Sequence, residues 1–253
     1  MNFVFDVPRV PVQQLHERLG FAQSVEYPEA SLVKSLTDWK MEDDDAPLFR
    51  YVYRHFRPCR HLEFGTWQGT GVTYVLDECD ATVWTINLLE GESKDSGEWA
   101  YGENHSAGRM LVQGWTVSEI TGDNQFAYRT DARGFIGRFY LDRGLGHRVC
   151  QIYADSRDWD TSNYPAGFFD SCLIDGGHRS EVVLNDTQKA VQLVRSGGIV
   201  MWHDFCPVRE VMEQSDVVRG VVTSLQSNWS WLTDQMKYLA WIQPSHILIG
   251  VRK

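Results

Sequence analysis

Phe169-Asp-Ser-Cys-Leu-Ile-Asp175-Gly-Gly-His178, followed after a helical stretch by Gly197-Gly-Ile-Val-Met-Trp-His203-Asp204, is the part of this 253-residue chain whose reading decides the fold. Each piece is a short apolar run without strict alternation that stops at polar residues. That is the pattern of a strand buried on both faces, as in a parallel sheet. Between the pieces, Val183, Thr187, Ala190, Val191 and Val194 recur at the spacing of one helical face over about residues 180–195. Arg195 suits the negative end of that helix and Gly197 is placed to close it. Strand, helix and strand in this order predict a doubly wound α/β fold, in which polar residues at the carboxyl ends of strands face the ligand crevice.

The same reading extends in both directions. His61 to Gly65, Thr82 to Asn87 and Arg148 to Asp155 are further short apolar runs with polar ends, and Ala46 to Arg57 places Leu48, Val52 and Phe56 on one helical face. Tyr238 to Ile242 and His246 to Val251, broken by Pro244, read as a closing antiparallel pair. Residues 1–45 read as an N-terminal helical extension. It ends in the acidic run Glu42 to Asp45, read as a solvated helix start with Asp45 as cap and Pro47 in the first turn rather than as a metal site. About 60 residues separate the second and third strands, where a short crossover suffices. Phe135 to Leu145 reads as the crossover helix, ended by Gly144 or Gly146. Glu92 to Asp131 is polar, with Trp99, Tyr101, His105, Arg109 and Trp115 interspersed, and reads as a lid or substrate-contacting insertion. No repeat or low-complexity linker divides the chain, so residues 1–253 are expected to form one domain.

Composition narrows the function. Apolar residues at 43% and charged residues at 23% are those of an ordinary globular protein. The net charge of −10 repels phosphate backbones, so neither nucleic acid nor an anionic membrane is an expected partner. No stretch approaches the ~20 apolar residues of a membrane span. Met1 to Pro8 lacks the basic start and apolar core of a signal peptide. The five cysteines are odd in number and form no CxxC pair, which fits reduced thiols and a cytoplasmic setting. A homo-oligomer remains compatible with all of this.

The first strand runs into Glu63-Phe-Gly65-Thr66-Trp67-Gln-Gly69-Thr-Gly71. Gly65 allows a sharp turn beside a ligand, where a side chain is expected to occupy the ligand's approach, and Gly69 allows close packing of the next segment. The loop resembles the acidic-x-Gly-x-Gly-x-Gly motif of the class I S-adenosylmethionine methyltransferases, with Trp67 at the middle glycine position. The Asp175-Gly-Gly-His178 and His203-Asp204 blocks resemble a small-molecule O-methyltransferase subgroup of that class, the resemblance covering roughly residues 46–252. It implies a Rossmann-like, mostly parallel seven-stranded sheet with a reversed last strand. It also implies a cofactor site from Glu63, Gly65, Thr66, Trp67, Gly69, Asn87, Asp155, Ser156 and Asp175. Asn87 stands where the family usually has a carboxylate for the ribose hydroxyls, with Glu90 as a substitute, and a plain turn residue is an equal reading. Asp155 stands where the family contacts the adenine amino group.

Asp175 and Asp204, at adjacent strand ends, can share a divalent cation such as magnesium or manganese. The other reading gives Asp175 to the cofactor or a helix cap and Asp204 to loop amides. His178 and His203 are candidate bases, since a neutral imidazole can take a hydroxyl proton during methyl transfer. The expected function is transfer of a methyl group from S-adenosylmethionine to a small-molecule acceptor at oxygen. Two rivals remain: a metal-dependent hydroxylase or oxygenase on a related fold, and a non-catalytic cofactor-binding protein.

Overall fold

Five parallel strands form the centre of a sheet in the computed structural model, which describes residues 2–88, 122–123 and 136–253. In chain order the strands are β1 (Arg9–Pro11), β2 (Arg60–Phe64), β3 (Thr82–Asn87), β4 (Gly122–Asp123), β5 (Val149–Tyr153), β6 (Phe169–Ile174), β7 (Val194–Trp202), β8 (Met236–Gln243) and β9 (Leu248–Arg252). Their spatial order is β1-β8-β9-β7-β6-β2-β3-β5-β4. The last strand, β9, runs antiparallel to both β7 and β8, as the resemblance implies. Two edge strands exceed the expected seven: β1, parallel to β8, and β4, antiparallel to β5. With three and two residues they are too short to show a period.

The helices are α1 (Leu15–Leu19), α2 (Glu29–Leu32), α3 (Met41–Asp44), α4 (Ala46–Phe56), α5 (Thr70–Glu78), α6 (Arg138–Asp142), α7 (Ser180–Leu193), α8 (Arg209–Gln214), α9 (Asp216–Ser227) and α10 (Trp229–Gln235). Sheet alternation sends successive side chains to opposite faces. Leu62, Phe64, Cys172, Ile174, Val200 and Trp202 pack with residues of α7 and α9 on one side. Val83, Leu173, Ile199 and Met201 pack with residues of α4 and α5 on the other. Each such side chain, fully buried, contributes about 1.5–3 kcal/mol. His61 and Glu63 fall on the α4/α5 face, His61 beside Tyr53 and Glu63 beside Gly71.

Four expectations change. Helix α7 ends at Leu193 rather than at Arg195, because Val194 is extended and pairs with Phe169. Arg195 then pairs with Asp170 instead of the helix end. The N-terminal extension is helical only in short turns and contributes strand β1 to the sheet. The acidic run is not a solvated start: Asp44 and Asp45 are buried, and Asp45, although at the N-cap position of α4, makes no side-chain cap. The crossover helix is α6, shorter than expected. The expected lid, with Trp99 and Trp115, lies outside the described residues except for Gly122 and Asp123, as does Glu90.

Candidate functional site

The strand-end loops enclose a cavity of about 520 Å³. Of the residues expected there, Glu63, Gly65, Thr66, Trp67, Asn87, Asp155, Ser156, Asp175, His178, His203 and Asp204 line it. Gly69 is absent from the lining and packs against Tyr140 instead, where a Cβ would stand 2.7 Å from the ring. Gly71, not singled out in the sequence, takes its place on the wall.

The glycine loop is held by its neighbours. Gly65 has φ +97°, and a Cβ there would meet the Asp175 carbonyl oxygen at 2.1 Å. The obstacle to a side chain is therefore the backbone after β6, not the ligand's approach. Trp67 has φ +44° and is 39% exposed on the cavity wall. A family glycine at this position avoids the ~1–2 kcal/mol that an L-residue spends in the left-handed region. Asn87 fastens the loop: its Oδ1 accepts from the amides of Thr66 and Trp67, each at 3.1 Å, and its Nδ2 donates to the Leu88 carbonyl. The Thr66 hydroxyl is buried against Thr85 and Gln151. Asp155 is bound by Arg157, whose Nη2 and Nε lie 2.7 and 3.1 Å from its two oxygens, so a charge-assisted fork already holds the carboxylate proposed for adenine.

Glu63 is 1% exposed and its Oε2 has no hydrogen-bond partner among the described residues. Burial pushes its carboxyl well above the ordinary range, and Asp175 adds to this against the Val72 amide and His203. The deep wall of the cavity therefore carries a carboxyl held in its neutral form, while the charged carboxylates of the site are those at the ends of β6 and β7.

At the ends of β6 and β7 the ionisable groups converge. His203 Nδ1 lies 2.9 Å from Asp175 Oδ1, and its Nε2 lies 3.3 Å from Asp45 Oδ2. Burial alone would lower this imidazole; Asp175, Asp204 and Asp45 outweigh it and hold His203 protonated, well above its ordinary value. His178 Nε2 lies 2.7 Å from Asp204 Oδ2, and its side chain is 34% exposed. Burial would lower it too, but Asp204 raises it above the ordinary histidine value. Burial would raise Asp204, whereas His203 and His178 hold it below the usual carboxylate range. Asp204 is non-glycine with φ +58°, strain of the kind stored at functional sites. Helix α9 fixes the His178 loop through Gly220, where a Cβ would stand 1.9 Å from the His178 carbonyl oxygen. Gly220→Ala is expected to cost about 1–3 kcal/mol of stability and to weaken ligand binding; unfolding midpoints and calorimetry check both.

One oxygen each of Asp175 and Asp204 and one nitrogen of His178 lie within 4.8 Å of one another. Two hard oxygens and an imidazole suit a divalent cation, so the residues fit such an ion, with His178 added to the expected pair. Asp45, Phe49 and Arg157 were not expected at the site. Of these, only Asp45 stands in a recognisable motif, the acidic run, where the sequence reads as a helix cap.

A ligand crevice outside the carboxyl ends of parallel strands defines a Rossmann-like binding protein. The chain belongs to a methyltransferase family: a model described as a methyltransferase domain matches residues 62–205, more than half of it. Similar solved structures include the S-adenosylhomocysteine-bound methyltransferase PaMTH1 of Podospora anserina, at 14% identity, 90% of this chain, 83% of that one and a TM-score of 0.50. Cofactor-bound Rv0187 from MTB matches at 14% identity over 90% of this chain and 84% of that one, with a TM-score of 0.52. The O-methyltransferase TomG of Streptomyces achromogenes, in complex with SAM, matches at 13% identity over 96% and 87%, with a TM-score of 0.47. No curated protein matches the sequence. None of the described helices is long and apolar enough to cross a membrane.

Proposed function

We propose that this protein transfers the methyl group of S-adenosylmethionine to an oxygen of a small-molecule acceptor. The observation that carries the reading is the cavity against the Gly65 loop, walled by Glu63 and Asp175 and bordered by the His178–Asp204 pair. The methyltransferase family and the cofactor-bound relatives support it. The net charge of −10 favours a small acceptor over nucleic acid.

Glu63, the Gly65 loop, Asn87, Asp155 and Ser156 would hold the cofactor, which supplies a methyl group already activated on a sulfonium. The chain's own work is alignment and proton removal. Asp204 holds His178 through Nε2, and the imidazole in its neutral form, reached above its raised value, takes the acceptor hydroxyl's proton at Nδ1. Asp175, fixed by His203, orients the hydroxyl. His203 itself is assigned positioning rather than base duty, because both its ring nitrogens face carboxylates.

A second reading is favoured by the convergence of Asp175, His178 and Asp204: these three would hold a divalent cation, which would supply a lowered pKa to the acceptor hydroxyl. The experiment is calorimetry with S-adenosylmethionine and S-adenosylhomocysteine, followed by labelled-methyl transfer to a panel of hydroxylated small molecules. Both cofactor forms are expected to bind, and a folded protein that binds neither refutes the reading. Without a cation, chelation leaves turnover unchanged and His178→Ala lowers it about 10²-fold or more. With one, chelation abolishes turnover and magnesium or manganese restores it.

A further inference from the structure

We infer that Asp45 is a positioning residue of the active centre, acting through His203 to hold the Asp175 carboxylate in the cavity. This rests on the proposed placement of the active centre at the ends of β6 and β7. Asp45 is fully buried, precedes α4, and does not line the cavity. Its Oδ1 accepts from Trp39 Nε1 at 3.0 Å and from the His246 amide at 3.2 Å. Its Oδ2 lies 3.3 Å from the His203 imidazole. One carboxylate thus ties together the segment before α3, the β8–β9 hairpin and the end of β7.

A buried carboxylate carries a desolvation cost of several kcal/mol unless donors surround it. Two neutral donors, the Trp39 indole and the His246 amide, satisfy Oδ1, and the same amide also reaches Oδ2 at 3.3 Å. The His203 ring lies against Oδ2 as well and carries the contact onward. Its opposite nitrogen donates to Asp175 at 2.9 Å, and Asp175 opens to the cavity with 29% of its side chain exposed. Phe49 abuts the same ring edge-on, centroids 5.2 Å apart and planes at 76°, so packing also limits its rotation. With Nδ1 hydrogen-bonded to Asp175, Nε2 in ion-pair contact with Asp45 and Phe49 against its edge, the ring's orientation is restricted, and Asp175 inherits it. The orienting of one functional side chain by another, itself held from behind, follows the logic of supporting shells in enzyme sites.

Selective ¹³C labelling of aspartate carboxyl carbons tests this, with the Asp175 resonance assigned by its loss in Asp175→Asn. Asp45→Asn is nearly isosteric and keeps an acceptor for Trp39 and His246. It is expected to shift the Asp175 resonance beyond its linewidth, and His203→Gln is expected to remove that sensitivity to position 45. An unmoved Asp175 resonance in folded Asp45→Asn overturns the inference. So does an equal shift in the His203→Gln background, which would report general loosening. If Asp45→Asn does not fold, the two links are read separately. The unaltered protein should show an exchange-protected hydrogen on His203 Nε2, and His203→Gln alone should displace the Asp175 resonance; the absence of either overturns it. Addition of S-adenosylhomocysteine separates this from the proposed function. An Asp175 resonance that answers to Asp45 but not to that ligand supports the coupling and refutes the placement of the active centre.

Discussion

Gly65→Ala is expected to lower stability by about 2–5 kcal/mol and to abolish binding of S-adenosylhomocysteine. Two costs combine. Alanine at φ +97° occupies a backbone region that costs an L-residue about 1–2 kcal/mol. The new Cβ also meets the Asp175 carbonyl oxygen at 2.1 Å and the Gly176 Cα at 2.7 Å. These are backbone atoms at the end of a central strand and cannot swing aside as a flexible side chain would. Overpacking of this kind adds about 1–3 kcal/mol. Relief requires β2 and β6 to separate at the point where both feed the cavity, which displaces Asp175 as well as the loop. Urea unfolding followed by tryptophan fluorescence measures the first effect and calorimetry the second. Wild-type values for both would show that the loop does not pack on β6 as described. Gly65→Val, with a larger side chain in the same place, is expected to do more damage to the fold, so alanine is the more informative change.

Glu63→Gln is expected to change the shape of the pH–stability profile. The Glu63 carboxyl titrates well above 4.5 in the folded protein because burial disfavours its charged form. The unfolded chain therefore gives up this proton first as pH rises. Between the two values the unfolded state binds fewer protons, and stability falls with pH at about 1.4 kcal/mol per unit. His61, on the same strand and likewise buried, acts in the opposite sense. Burial pushes its imidazole down to about 3, so between pH 3 and 6.5 the unfolded state binds more protons and stability rises with pH. The two slopes oppose each other above pH 4.5, so the wild-type contribution of this pair is flattened there. In Glu63→Gln it rises to pH 6.5 and then levels, so the variant's advantage grows as pH rises from 4.5 towards the raised Glu63 value. Unfolding midpoints across that range decide the matter; parallel profiles for the two proteins would mean that Glu63 is ionised in the fold.

Much of this architecture is legible in the sequence because parallel strands buried on both faces leave uninterrupted apolar runs. Thr82–Asn87 is read to its observed limits, and Asp175, His178, His203 and Asp204 are placed at one rim by strand ends alone. What escapes has identifiable causes. Strand β1 has three residues and takes its partners from β8, more than 200 positions away, so no local period records it. The contact of Asp45 with the His246 amide spans 201 positions, and the acidic run around Asp45 has the composition of a solvated helix start. Val194 continues the helical spacing but is taken by the sheet, because its pairing with Phe169 decides its backbone. In the glycine loop the spacing identifies the turn, yet which glycine faces the ligand depends on Tyr140 filling the space behind Gly69.

The carboxylates around the cavity have a consequence for the order of events in a catalytic cycle. On the proposed reading the donor enters with a net positive charge and leaves, after giving up its methyl group, as a neutral thioether. Asp175 and Asp204 bear on the first and have little hold on the second. The attraction that loads the site is cancelled by the reaction itself, so the same acidic wall that recruits the donor favours departure of the spent molecule and limits inhibition by it.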